Sequence, residues 1–411
     1  MSLREALNGH RNSLGIIRLV LAAFVILDHA FPLGGWGEAP FLAMTRQQQS
    51  LGGVAVLGFF AISGYLVTKS AQSSDALQFV WRRFLRIFPG FWAVLLVGAF
   101  IVGPIYWMLE GHALGAYFGF GPGSPWAYLY TNALLNIGQY QIWDIWSATT
   151  PYGLAGNGGP INGSIWTLVY EFTCYLLIAG LLFFLVLKRA KVLVPIIAAC
   201  FLLLQVVNLL SGEGTGSSEA ARIVPYLGSY WPTNFGLIFF LGATLAIYAD
   251  RVPYSNWLGA GAGLVSLVTL RFGGFNTLGY FTTAYFVLFL AARLPKLFQR
   301  VGARNDYSYG VYLYGWIIEQ VLAYAGVNRW GYVPYVFLSL VGAGACAVVS
   351  WHLVEKQALK LKDVGPGVGF AGIATAARSM ANRRRREEGD LPASQPVEPR
   401  AQPAEPRETS A

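Results

Sequence analysis

Charge is scarce in this chain: Asp, Glu, Lys and Arg make up 12% of 411 residues, against 55% apolar residues and a mean hydropathy of +0.48. That shortage excludes an ordinary water-soluble fold and points to a polytopic membrane protein. Cysteine is scarcer still. Cys174, Cys200 and Cys346 lie inside apolar runs without Cys-x-x-Cys spacing, which excludes a disulfide framework and a metal site of the zinc type and leaves them as packing residues. A cleavable leader is also missing: the polar start MSLREALNGHRN passes into a full-length apolar run with no small-residue cleavage site, so that run is expected to remain as an anchor. The net charge of +9 would suit nucleic acid, yet Lys and Arg fall in short connections between apolar runs. No nucleic-acid partner is expected. Nor does any convincing internal similarity link two halves of the chain, as the inverted repeats of many transporters would.

What is present is a series of ten apolar runs, near 14–33, 51–68, 86–108, 165–187, 192–210, 234–250, 255–271, 276–293, 307–325 and 333–354. About 20 residues rising 1.5 Å each span the ~30 Å hydrocarbon core. The fold class expected is therefore an all-α polytopic membrane protein of about ten transmembrane helices. An even number returns both termini to one side. Lys69, Arg82, Arg83, Lys188, Arg189, Lys191, Arg251 and Lys356 lie in connections on that side, against little beyond Arg46, Arg222, Arg271 and Arg329 on the other. The positive-inside rule makes both termini cytoplasmic, in a multi-pass protein of the inner membrane.

The organisation expected is a cytoplasmic segment 1–13, a membrane domain 14–362 and a disordered cytoplasmic tail 363–411, whose NRRRREEGD run and Pro-rich end cannot bury a core. Within the membrane domain the outer loop 110–163 is long and aromatic. Residues 126–140 read as an interfacial or re-entrant helix. Trp143, Trp146 and Tyr152 either suit stacking against a sugar or form a plain aromatic belt.

The first run, LGIIRLVLAAFVILDHAFPL, carries Arg18, Asp28 and His29. Eleven residues, about 1,100° of rotation, put Arg18 and His29 on one face roughly 16 Å apart. Ionisable groups in a span usually face the bundle interior or a water-filled path; the bland alternative is an Arg that snorkels and a His at the interface. In WRRFLRIFP, Arg83 and Arg86 stand three residues apart at the expected mouth of the third span, where helix N–H groups would add positive potential and phosphates would suit the pair. Topology determination alone would also explain them. In SIWTLVYEF, Glu171 falls about seven residues below the outer surface, roughly 10 Å deep, where a carboxylate needs a partner. His29 is expected to be that partner, the two meeting in one buried site. Ser63 and Gly64 in FFAISGYLVTK, and the DYSYGVYLY run from Asp306, read more simply as helix-packing residues.

The ordered set of Arg18 with His29, FFAISGYL, RRFLRIFP, SIWTLVYE, YSYGVYLYGW and WHLVEKQ resembles the acyltransferase 3 family of membrane O-acyltransferases over roughly residues 10–362. The resemblance implies transfer of an acyl group, often acetyl, from cytoplasmic acetyl-CoA or another acyl-CoA to a hydroxyl of an extracytoplasmic or lipid-linked acceptor, commonly a carbohydrate or glycolipid. His29 then becomes the catalytic base or acyl relay and Glu171 its partner in the core. Arg18, Arg83 and Arg86 become donor ligands, while Ser63, Trp166 and Tyr309 stand as weaker candidates for substrate or oxyanion contacts. Membrane lipid surrounds the chain, no metal is expected, and a homo-oligomer is left open. One departure is Gly315, which stands where many members place a His after the YL of the ninth motif. The final residues also read as a tail in place of the SGNH-type hydrolase domain some members carry. The rival to the enzyme is a transporter of a polar lipid or glycan, because intramembrane charge also marks transport paths.

A thioester is already activated, so the protein has to position the donor, take a proton from the acceptor hydroxyl and stabilise the oxyanion. With donor phosphates on one side and His29 toward the other, a tunnel through the membrane would join them.

Overall fold

The computed structural model describes residues 1–7, 12–211, 219–302 and 305–369, with 372 and 375. Ten long helices occupy the ten expected runs: α1 Leu14–Gly34, α2 Leu51–Ala71, α3 Ala76–Val97, α4 Leu168–Phe183, α5 Leu193–Leu210, α6 Tyr230–Ile247, α7 Asn256–Phe272, α8 Tyr280–Arg293, α9 Ser308–Tyr324 and α10 Tyr332–Ser350. Eight of them are long and apolar enough to cross a membrane, α4 and α8 when taken with the helical turns before them as Ile165–Phe183 and Phe275–Arg293; α7 and α9, at 17 residues each, are one residue shorter than α5 and α6. Large apolar side chains stay exposed along α5, α7 and α10, among them Leu203 at 65%, Leu267 at 66% and Phe337 at 62%. That is the surface a bilayer covers.

The chain ends its described course on the face where it began. Ser2 bridges to Pro253, the Ser13 N–H donates to the Ala291 carbonyl at the end of α8, and Arg82 pairs with Asp363 at 2.8 Å. This surface is called the N-terminal face below. Of the tail 363–411, expected to be disordered, residues 370, 371, 373, 374 and 376–411 lie outside the described residues, whereas its start is ordered. There Gly365–Val368 forms a turn against α3, with the Gln78 side chain donating to the Gly367 carbonyl at 2.8 Å.

Two expectations are corrected. Helix α3 starts ten residues before the expected 86, at Ala76, because the Asp75 side chain caps it by accepting from the Gln78 N–H at 2.9 Å. It runs on through a wide turn at Gly98–Val102 to Leu109. Arg83 and Arg86 therefore sit more than a turn inside the helix, beyond reach of its free N–H groups. Of the outer-loop stretch 126–140, expected to be one helix, only the part to Asn132 is helical, in Pro125–Asn132. There the Asn132 carboxamide oxygen takes the Gly138 and Gln139 N–H groups at 2.9 and 3.1 Å and turns the chain.

Helix α6 is buried on all sides and packs most closely on α2. A Cβ on Gly64 would lie 2.0 Å from the Phe239 carbonyl oxygen, and one on Gly242 would lie 2.1 Å from that of Ala61. Backbone meets backbone there, as small residues permit between spans. Gly64→Val or Gly242→Val should therefore remove the monodisperse peak from detergent size-exclusion chromatography, whereas Gly180→Ala, with nothing within 4 Å of its Cβ, should leave it unchanged.

Candidate active site

The ionisable residues gather at two levels. Near the N-terminal face Asp306, two residues ahead of α9, accepts from Arg18 of α1 and Arg86 of α3 on a single oxygen, while its other oxygen accepts the Ser308 hydroxyl at 2.6 Å and its N–H at 3.3 Å. The three charged side chains are no more than 24% exposed. Burial pushes the Asp306 carboxyl up, but the two guanidiniums outweigh it and hold the group well below the usual carboxylate range. Arg83 is half-buried beside them. It donates to the Ser70 hydroxyl at 3.3 Å, its guanidinium lies 5.7 and 5.9 Å from the Phe79 and Tyr175 rings, and its Nε has no partner. Two further carboxyl groups complete the cluster. Glu171 of α4 accepts from Ser63 at 2.8 Å and Tyr175 at 2.6 Å, and Glu355 accepts from Ser350 at 3.0 Å.

His29 lies at the second level, toward the other face, with its ring edge-on to Trp316 at 4.9 Å between centroids. No described residue hydrogen-bonds either ring nitrogen. The neighbouring Asp28 is occupied elsewhere, accepting from the Ser50 hydroxyl at 2.6 Å and the Leu51 N–H at 3.1 Å at the start of α2.

A series of cavities with shared walls connects the levels. A 690 Å³ cavity at the N-terminal face is lined by Arg18, Lys69, Ser70 and Asp306. Arg18 also walls a narrow 50 Å³ space with Glu171 and Tyr309. That space shares Val56, Thr167 and Tyr312 with a 310 Å³ chamber holding Asp28 and His29. Beyond it open two outer cavities of 670 and 850 Å³. The narrow point is closed by the Thr167 and Tyr312 hydroxyls, 2.6 Å apart.

His29 and Glu171 do not meet, against the expectation from depth: Glu171 belongs to the Arg18 level and shares no cavity with His29. The cause is the chain before α4. Trp316 donates to the Pro160 carbonyl at 3.1 Å, Asn162 donates to the Leu313 carbonyl at 2.8 Å, and the Tyr312 hydroxyl donates to the Ser164 carbonyl. Residues 160–164 thus enter the bundle before the helical turn Ile165–Thr167 that leads into α4, the Pro160 and Ser164 carbonyls satisfied by α9. The weaker candidates also separate. The Ser63 proton is taken by Glu171, and Tyr309 donates to the Ile87 carbonyl at 2.8 Å, so neither is a free oxyanion donor. Trp166 lines the His29 chamber, and no described residue accepts from its indole N–H. Arg18 walls the inner cavity, while Arg83 reaches only its Ser70 wall and Arg86 stands behind Asp306. Trp146 is fully buried against Tyr106 and cannot stack on a ligand. Sequence reasoning gave Asp306 no role, because its partners are 288 and 220 residues away.

A family model described as an acyltransferase domain matches residues 11–352. The chain belongs to the acyltransferase 3 family. An O-acetyl transferase of Shigella phage Sf6 is 32% identical over 356 residues, covering 85% of this acyltransferase and 96% of that protein. Nodulation protein 10 of Rhizobium leguminosarum bv. viciae is 28% identical over 386 residues, covering 87% and 96%. No solved structure matches. Membership decides for a membrane acyltransferase over a transporter. In this acyltransferase a Cβ at Gly315 would lie 2.8 Å from Ile26 Cγ1, so a side chain there would have to displace Ile26 of α1.

Removing one partner of a buried ion pair costs about 3–5 kcal/mol, because the other charge is left uncompensated. Asp306→Asn should lower the Tm in detergent by several degrees, and Asp306→Asn with Arg86→Gln should melt no lower than the worse single variant. Losses that simply add would show that Asp306 and Arg86 do not act as a unit.

Proposed function

We propose that this acyltransferase moves an acetyl group from cytoplasmic acetyl-CoA to a hydroxyl of an extracytoplasmic or lipid-linked carbohydrate, its N-terminal face being cytoplasmic in the inner membrane. The observation that carries the reading is the succession of cavities from Arg18 to His29, narrowed at the hydroxyls of Thr167 and Tyr312. The relative named O-acetyl transferase supports acetyl as the group moved.

Arg18 and Lys69 on the inner wall offer charge to the donor's phosphates, with Arg83 behind Ser70. Arg86 acts through Asp306, fixing the carboxylate that orients Arg18. The donor's long flexible arm extends along α1 past Glu171, and the Thr167–Tyr312 contact opens to admit the thioester. In the outer chamber the acceptor oxygen bonds to the carbonyl carbon, the carbon–sulfur bond breaks, His29 takes the hydroxyl proton, and the departing thiolate is protonated in turn. Trp316 holds the imidazole from its edge and leaves both nitrogens open to the acceptor. The free indole N–H of Trp166 in the same chamber supplies a donor to the oxyanion.

His29→Ala should cut transfer by roughly 10²-fold or more. The check compares by mass the envelope carbohydrate of a deletion strain complemented with wild-type or variant protein at equal abundance. An undiminished acetyl increment with His29→Ala would remove the histidine from the chemistry.

A further inference from the structure

We infer that the acceptor is an uncharged glycan of several rings, held in an aromatic cleft on the face opposite the N-terminus; the inference rests on the acyl-transfer reading of the His29 chamber. The cleft is the 850 Å³ outer cavity, and seven of its 13 lining residues are Trp or Tyr. It is within the range of about 300–1,000 Å³ that encloses a drug-sized ligand, more space than a single sugar ring needs. Trp166 and Trp231 belong to both the cleft and the His29 chamber, and Trp316, the ring against His29, also lines the cleft. A chain laid along these rings leads its end ring to the imidazole.

The chemistry of the walls chooses the ligand. Indole and phenol faces pack against the apolar C–H faces of pyranose rings while their polar edges stay wet. Beyond them the cleft offers neutral polar groups, Gln141 and Asn157 among them. Gln139 is committed to its own loop, donating to the Ser124 and Gln141 carbonyls at 3.2 and 2.7 Å, so the platform is formed in advance of binding. The 310 Å³ chamber adds hydroxyl and amide groups from Gln47, Ser50, Tyr230 and Tyr280.

Positive charge is what these walls do not provide. Among the described residues no Lys or Arg lines the cleft, the His29 chamber or the 670 Å³ cavity between them, while Asp28 lines the chamber and, with Glu38, the 670 Å³ cavity. A uronate or phosphate on the bound rings would lose water without gaining a cation, and at the His29 end it would face Asp28 and Glu38. The inner cavity, with Arg18 and Lys69, has the opposite character. Donor and acceptor are thus told apart by charge.

The test is binding, read without acyl transfer. Labelled protein in nanodiscs is applied to an array of neutral hexose and deoxyhexose oligosaccharides of one to about six rings, with uronate oligomers of matched length. Neutral glycans of two or more rings should be retained and uronates not. Trp231→Ala should weaken retention roughly tenfold, the loss of one well-placed aromatic contact. Tyr140→Ala, at a side chain 40% exposed and so removable without harm to packing, should weaken it in the same sense. Tyr140→Lys should bring uronate oligomers onto the site. Preference of the wild type for uronates, undiminished retention by both alanine variants, or retention of no glycan would each overturn the inference. CoA release from acetyl-CoA with water as acceptor reads the donor half alone. Its absence with glycan retention intact would count against the acyl-CoA reading and leave the cleft standing.

Discussion

One carboxylate ties the membrane domain together near its N-terminal face. Asp306 draws Arg18 and Arg86 from two helices onto one oxygen at the foot of a third, where its other oxygen is fixed by Ser308. Pairing offsets the partial removal of these charges from water, so α1, α3 and α9 cannot shift independently without leaving a guanidinium unmatched. The position of Arg18 on the cavity wall follows from that pairing, and with it the orientation of the α1 stripe that carries His29 eleven residues further on.

The second constraint is the descent of residues 160–167 into the bundle. Backbone at membrane depth is tolerated only where protein groups satisfy it; here Tyr312 and Trp316 donate to the Ser164 and Pro160 carbonyls, and the Asn162 carboxamide oxygen takes the Ser164 N–H. This segment brings Trp166 and Thr167 to the His29 chamber and lowers Glu171 to the level of the arginines. The bundle is therefore divided into an inner half that carries the arginines and an aromatic outer half whose described cavity walls hold no cation, joined where two hydroxyls meet.

The helices were legible because apolar run length is a strong signal: α1 and α2 start where the sequence says, and the ends differ by only a few residues. The start of α3 was obscured because Arg82, Arg83 and Arg86 look like a membrane boundary, although Asp75 and Gln78 carry a helix-start signal ten residues upstream. Arg18, His29 and Glu171 were picked out correctly as interior residues. Their grouping was not, since depth counted from the membrane surface assumes that a span begins there, and α4 begins well inside. Asp306 looked like an ordinary helix-flanking residue, and nothing local reveals partners more than 200 residues away.

Passage of the acyl group through the protein is the centre of this account, and sidedness tests it most directly. Oriented proteoliposomes are supplied with acetyl-CoA only at the N-terminal face and a neutral oligosaccharide only at the other. Acetylated oligosaccharide should form there, and Val56→Trp, which fills the wall shared by the narrow space and the His29 chamber, should abolish it in a protein of unchanged chromatographic profile. Product only when both substrates share one face, or undiminished transfer with the plug in place, would contradict a route through the bundle.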